Sequence, residues 1–102
     1  MPVRLHKSRY SEPGSAAKLR QKLEHEGYSV FVWSDSEGAV YDDHSHRHDE
    51  YIVVASGAIV FKIASLRYLL EAGDALELPA NTVHAAVNEN HGPVSYFICT
   101  RA

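Results

Sequence analysis

From Tyr28 onward the chain is divided into short period-two segments, each closed by turn-forming residues, and that pattern most restricts what it can become. The segments are Tyr28–Trp33, Ala39–Asp43, Glu50–Ala55, Ala58–Ile63, Leu66–Leu70, Ala75–Leu78, Thr82–Asn88 and Val94–Thr100. The breaks fall at Ser34–Gly38, Ser56-Gly57, Ala64-Ser65, Gly73-Asp74, Pro79–Asn81 and Asn90–Pro93, where Gly, Pro, Asn, Asp and Ser favour reversal of the chain. Strands this short and this closely spaced form antiparallel sandwiches or closed barrels. The expected fold class is therefore all-β.

Ahead of the strands, residues 15–26 hold strong helix formers, with Ala16, Leu19 and Leu23 on one stripe and Gly27 placed to end the helix. We expect this stripe to pack on the core. Residues 1–14, with Pro2, Pro13 and Gly14, read as an arm. The expected organisation is residues 1–27 as arm and helix against the barrel, and residues 28–102 as a single β-barrel domain. At 102 residues there is enough chain for one modest core. The helix has no second helix beside it with which to form a helix-turn-helix pair.

Charge argues against two classes of partner. A net charge of −3 provides no electrostatic footing for nucleic acid or for an anionic membrane. The longest apolar stretch, Tyr51–Ala55, is far below the about 20 residues a membrane span requires. No apolar run follows the basic residues at the N-terminus, so no signal peptide is read there. The one cysteine, Cys99, cannot form an internal disulfide, which fits a reducing, cytoplasmic setting; on the last strand it reads as a small buried hydrophobe.

The chemistry lies in the histidines. There are seven, and His44, His46 and His48 fall within five residues of one another. Imidazole is the commonest metal ligand. His44 and His46, two apart, point to one face if they share a strand. Glu50 has the same parity but lies six residues past His44, roughly 20 Å away along a straight strand. Ligands of one ion must lie within about 3–4.5 Å of each other, so joint binding requires the chain to turn back through Arg47-His48-Asp49. His84 comes from a distant strand and shares its face with Ala86, whose small side chain leaves room inside, and with Asn88. His48 could replace His44 or contact the site as a neighbour, but its place in the predicted turn favours a partly exposed histidine. His6, His25 and His91 read as surface residues.

These residues fall in a recognisable frame. Gly38, five residues, His44-x-His46, three residues, Glu50, six residues and Gly57 match the first motif of the cupin superfamily, and Gly73, five residues, Pro79, His84 and Asn88 match the second. The chain is thus identified as resembling a small, single-domain cupin over residues 38–88. Asn81 stands where the second motif usually has glycine, and asparagine tolerates the left-handed region such a turn requires. The resemblance implies a cupin-type double-stranded β-helix, a jelly-roll barrel, with one short N-terminal helix. It also implies one divalent transition metal (Fe, Mn, Ni, Cu, Co or Zn) held by His44, His46, Glu50 and His84; such a ligand set does not select among these ions.

The implied function is a metalloenzyme of oxygenase or isomerase type acting on a small polar molecule. The alternative is a non-catalytic small-molecule sensor in which the metal organises the pocket. No catalytic base stands out, with Tyr41, Tyr96 and His48 the weak candidates. Val30, Val32, Ile52, Val54, Ile59, Phe61, Leu76, Leu78 and Phe97 read as barrel filling or pocket wall. Lys62 is expected in solvent, while Arg67 could reach an anionic substrate. Trp33 fits a pocket or a subunit interface equally. Exposed strand edges make a homodimer the expected assembly.

Overall fold

Alternation along the strands produces two antiparallel sheets. The computed structural model describes residues 2–11 and 14–101; Pro13, expected in the arm, lies outside them. Among the described residues the order is β1 (Arg4–His6), α1 (Ala16–His25), β2 (Tyr28–Asp35), β3 (Val40–His44), β4 (Glu50–Ser56), β5 (Ala58–Ile63), β6 (Leu66–Glu71), β7 (Ala75–Leu78), β8 (His84–Val87) and β9 (Val94–Arg101). One sheet runs β1-β7-β4-β9-β2 and the other β3-β8-β5-β6.

The main core fills the space between the sheets. Ile52 and Val54 of β4, Leu76 and Leu78 of β7 and Tyr96 of β9 meet Ile59 and Phe61 of β5, Leu70 of β6 and Ala86 of β8. A second cluster lies on the outer face of the five-stranded sheet, where Leu19 and Leu23 of α1 cover Val30, Tyr51, Val53, Phe97 and Cys99. The central strand β4 is thus buried on both faces, which explains why Tyr51–Val54 is a continuous apolar run rather than an alternating one. Ser15 caps α1, its Oγ accepting from Lys18 N at 3.2 Å. Ala16, expected on the buried stripe, is exposed because it lies at the outer end of the helix; Leu19 and Leu23 carry the packing.

Three expectations are corrected. The arm contains a strand: Arg4–His6 pairs with β7, and the buried carboxylate of Asp74 fastens the following turn by accepting from Ser8 N at 2.8 Å and pairing with Lys7. His6 is accordingly half-buried, its Nε2 2.5 Å from Glu77 Oε2, and not a surface histidine. Val32 is 49% exposed, because α1 covers Val30 but not the next outward position of the edge strand β2. Asn81 has φ +63°, the left-handed conformation expected of it. Gly57, at the β4–β5 hairpin, has φ +77° and sits where a Cβ would come within 2.4 Å of the Pro93 carbonyl oxygen, so this position requires glycine on two counts.

Candidate metal centre

Two loops bring the histidines together. β3 ends at His44, so His46 is not on the strand; it lies in the connection 45–49, which turns the chain back toward Glu50 at the start of β4. Asn81 N donates to His46 O at 2.7 Å, and Ala80 N donates to Asp49 Oδ1 at 2.7 Å. The histidine loop is thereby fastened to the Pro79–Thr82 turn that leads into His84. Across the β3–β8 ladder His44 faces His84, and the register shifts between Tyr41 and His44. Without that irregularity, Tyr41 and His44, three residues apart, would face opposite sides of the sheet. With it, both line one cleft.

The ligand nitrogens of His44, His46 and His84 lie within 4.8 Å of one another. Their ring centroids are 4.3 Å apart for His44–His84, 5.0 Å for His44–His46 and 5.3 Å for His46–His84. His44 Nδ1 donates to Asp42 O at 2.7 Å and His84 Nδ1 to Thr82 O at 2.8 Å. A carbonyl can only accept, so Nδ1 is the donor in both rings and Nε2 is the nitrogen left to ligate, the arrangement metal-ligating histidines adopt. Burial pushes the His84 imidazole below the usual histidine range, and His44 and His46 push it the same way, against the opposing effects of Thr82 O and Glu50. His84 is held neutral, the form that coordinates.

Glu50 lines the same cleft but does not join the tight trio. Its Oε1 lies 3.8 Å from His46 Nε2 and its Oε2 3.4 Å from His48 Nε2. His48 is exposed and stays outside the trio, with its ring centroid 6.0 Å from that of His46, so the cluster is completed by His44. The cleft measures about 270 Å³, and Ile52, Phe61, Ala86 and Ile98 form its apolar lining. Ala86 provides the inner room expected of it. Asn88 is buried behind, donating from Nδ2 to Ser36 O and Gly92 O and closing the loops on either side of β3 and β8.

Sequence reasoning missed Asp35, which it left in a turn. Asp35 ends β2 and accepts from Tyr41 Oη at 2.5 Å, Tyr96 Oη at 2.8 Å and Trp33 Nε1 at 3.2 Å. Its parity with Trp33 was the available signal. Trp33 lines the cleft. Neither tyrosine is poised as a base: the bond to Asp35 raises the Tyr41 phenol, and burial followed by the same carboxylate raises that of Tyr96. Lys62 is exposed, as expected, and Arg67 pairs with Glu89 rather than reaching the cleft.

A double-sheet β-barrel with a histidine cluster on the wall of an apolar cleft defines a class of protein, and the sequence comparison names it. The chain belongs to the cupin family: residues 31–100 match the model of the cupin domain. No curated protein matches the sequence. Among solved structures, the chain is similar to an uncharacterized conserved protein with a double-stranded β-helix domain from Klebsiella pneumoniae (25% identity, TM-score 0.64, 74% of this chain and 67% of that one). It is similar in fold to the cupin domain of an XRE family transcriptional regulator from Enterobacter cloacae (21%, 0.64, 78% and 85%). A polyketide cyclase from Streptomyces resistomycificus shares the fold to the same degree (14%, 0.65, 72% and 54%). An enzyme and a regulator at nearly the same TM-score mean that function has to be argued from the site.

Proposed function

We propose that this cupin holds one divalent transition metal on His44, His46, His84 and Glu50, and acts on a small polar molecule as a metal-dependent enzyme of the oxygenase or isomerase type. The observation that carries this reading is the convergence of one ring nitrogen from each of three histidines, two of the rings oriented by backbone carbonyls, on the wall of an apolar cleft. When bound, a metal of this kind supplies Lewis-acid polarisation of a substrate oxygen or, in the case of iron, oxygen chemistry.

The chain's own residues perform the rest. Asp42 O and Thr82 O fix the tautomer and aim of two rings. The hydrogen bonds from Ala80 and Asn81 hold the two ligand-bearing loops in register, and Ile52, Phe61 and Ile98 keep bulk water from the inner end. Glu50 adds the negative charge that a divalent ion favours over an all-imidazole site. We also propose a homodimer formed through the β2 edge, where Phe31 is 66% exposed next to Val32. The single cysteine, which has no partner for an internal disulfide, fits the cytoplasmic setting we propose.

The test is metal analysis of protein purified without added metal, followed by turnover assays with the metal found. Near-stoichiometric metal that falls at least tenfold in His84→Ala and in His46→Ala is expected. Unchanged metal content in both variants would refute the ligand set. Metal retention with tight small-molecule binding and no turnover under any of the candidate ions would move the reading to a sensor.

A further inference from the structure

The cleft has a second polar wall that the histidine cluster does not use. Trp33 Nε1 donates to Tyr41 Oη at 2.8 Å and to Asp35 Oδ1, while both phenol hydroxyls donate to the Asp35 carboxylate. Every hydrogen that Trp33, Tyr41 and Tyr96 can offer is therefore already directed at a neighbour within the group. What remains on the cleft-lining hydroxyls is acceptor capacity, on Tyr96 Oη above all, since Tyr41 Oη already accepts from Trp33; Asp35 does not itself line the cleft and acts by holding both phenol hydrogens. Trp33, Tyr41 and Tyr96 all line the cleft, and no lysine or arginine does so among the described residues.

From this we infer that the Asp35 wall is a recognition pole for a small ligand bearing a hydrogen-bond donor, a hydroxyl or an ammonium group, and that it rejects groups that can only accept. A carbonyl, ether or carboxylate placed there would meet lone pairs alone and would lose its hydration without replacement. The aromatic faces add attraction for a cationic donor. The cleft, at about 270 Å³, lies just below the range of about 300–1,000 Å³ typical of drug-sized ligands, so the occupant is small. This inference deepens the reading of the cleft as the ligand site and rests on that reading, but not on the metal.

Trp33 is the chain's single tryptophan, so its fluorescence reports directly on this wall. Benzyl alcohol, benzylammonium and anisole, which match closely in size, are titrated into the protein as purified and after chelator treatment, with metal content measured in parallel. The two donors are expected to bind at least tenfold more tightly than anisole, with or without metal. Equal affinities for the two donors assign the recognition to the hydrogen bond, and a tighter ammonium adds the charge.

Tyr96→Phe removes an acceptor and is expected to weaken the donors about three- to tenfold while leaving anisole unchanged. Asp35→Asn brings in an amide donor and frees phenol hydrogens, so it is expected to erase or invert the preference. Tyr41→Phe gives a second reading if Asp35→Asn does not fold. Anisole binding as tightly as the donors, or a preference unchanged in the folded variants, would overturn the inference. So would probes that leave Trp33 unmoved in protein carrying its metal, an outcome that leaves the metal proposal standing. Donor-selective binding by a protein that never retains metal would uphold this wall and refute the metal proposal.

Discussion

Gly38 and Gly57 occupy equivalent framing positions in the first motif, yet the structure assigns them different costs on substitution by alanine. Both have positive φ, +81° and +77°. That conformation costs an L-residue about 1–2 kcal/mol. Part of the cost is offset by about 0.4–1 kcal/mol, because alanine also restricts the unfolded chain.

At Gly38 nothing lies within 4 Å of the position a Cβ would take, so Gly38→Ala is expected to lose about 1 kcal/mol. At Gly57 the same methyl would sit 2.4 Å from Pro93 O and 3.0 Å from Val94 Cα. Both neighbours are backbone, and Val94 is anchored in the core at 1% exposure, so the hairpin must move. Overpacking of this kind adds about 1–3 kcal/mol, for a total of about 2–4. A domain of this size shifts its melting temperature by about 4–8 °C per kcal/mol. The two variants, compared by circular dichroism melts and urea titration, should therefore differ by roughly 10 °C, with Gly57→Ala the lower. Equal losses would refute the argument from close approach and leave only the shared φ.

Four further outcomes follow from particular contacts. Leu23→Ala empties a fully buried site between α1 and the outer sheet and should cost about 2–5 kcal/mol in denaturant titration, without lowering metal content. Asp74→Ala leaves Ser8 N and Glu71 N without their acceptor and should cost about 2–4 kcal/mol at neutral pH. Burial alone would raise the Asp74 carboxyl, but the hydrogen bonds from Lys7, Glu71 and Ser8 outweigh it and hold it below the usual carboxylate range. Its contribution is therefore present above about pH 4 and lost as the pH falls through the depressed value; acid titration of stability should show a drop that Asp74→Ala lacks. Burial pushes the Cys99 thiol up to about 12, so a thiol reagent should react with it only on unfolding, and fast labelling of the native protein would contradict the packing.

Much of the fold was legible because strand alternation and turn chemistry are local. The bounds of β5 and β7 were readable to the residue, since Gly57, Gly73 and Pro79 interrupt pairing wherever they occur. The histidines and Glu50 could be nominated from the frame of glycines and proline around them. Tertiary contacts decided the rest. Which face of β2 is covered depends on where α1 lies, so Val32 could not be judged from its apolar character. The choice of His44 over His48 depended on the irregular ladder opposite His84 and on hydrogen bonds between loops more than thirty residues apart. Asp35 acquired its partners only when β2, β3 and β9 converged, because the hydrogen bonds a side chain makes are a property of its neighbours in space. Periodicity and turn residues act within a few positions of the backbone, whereas burial and polar pairing are set by strands that meet only in the folded barrel.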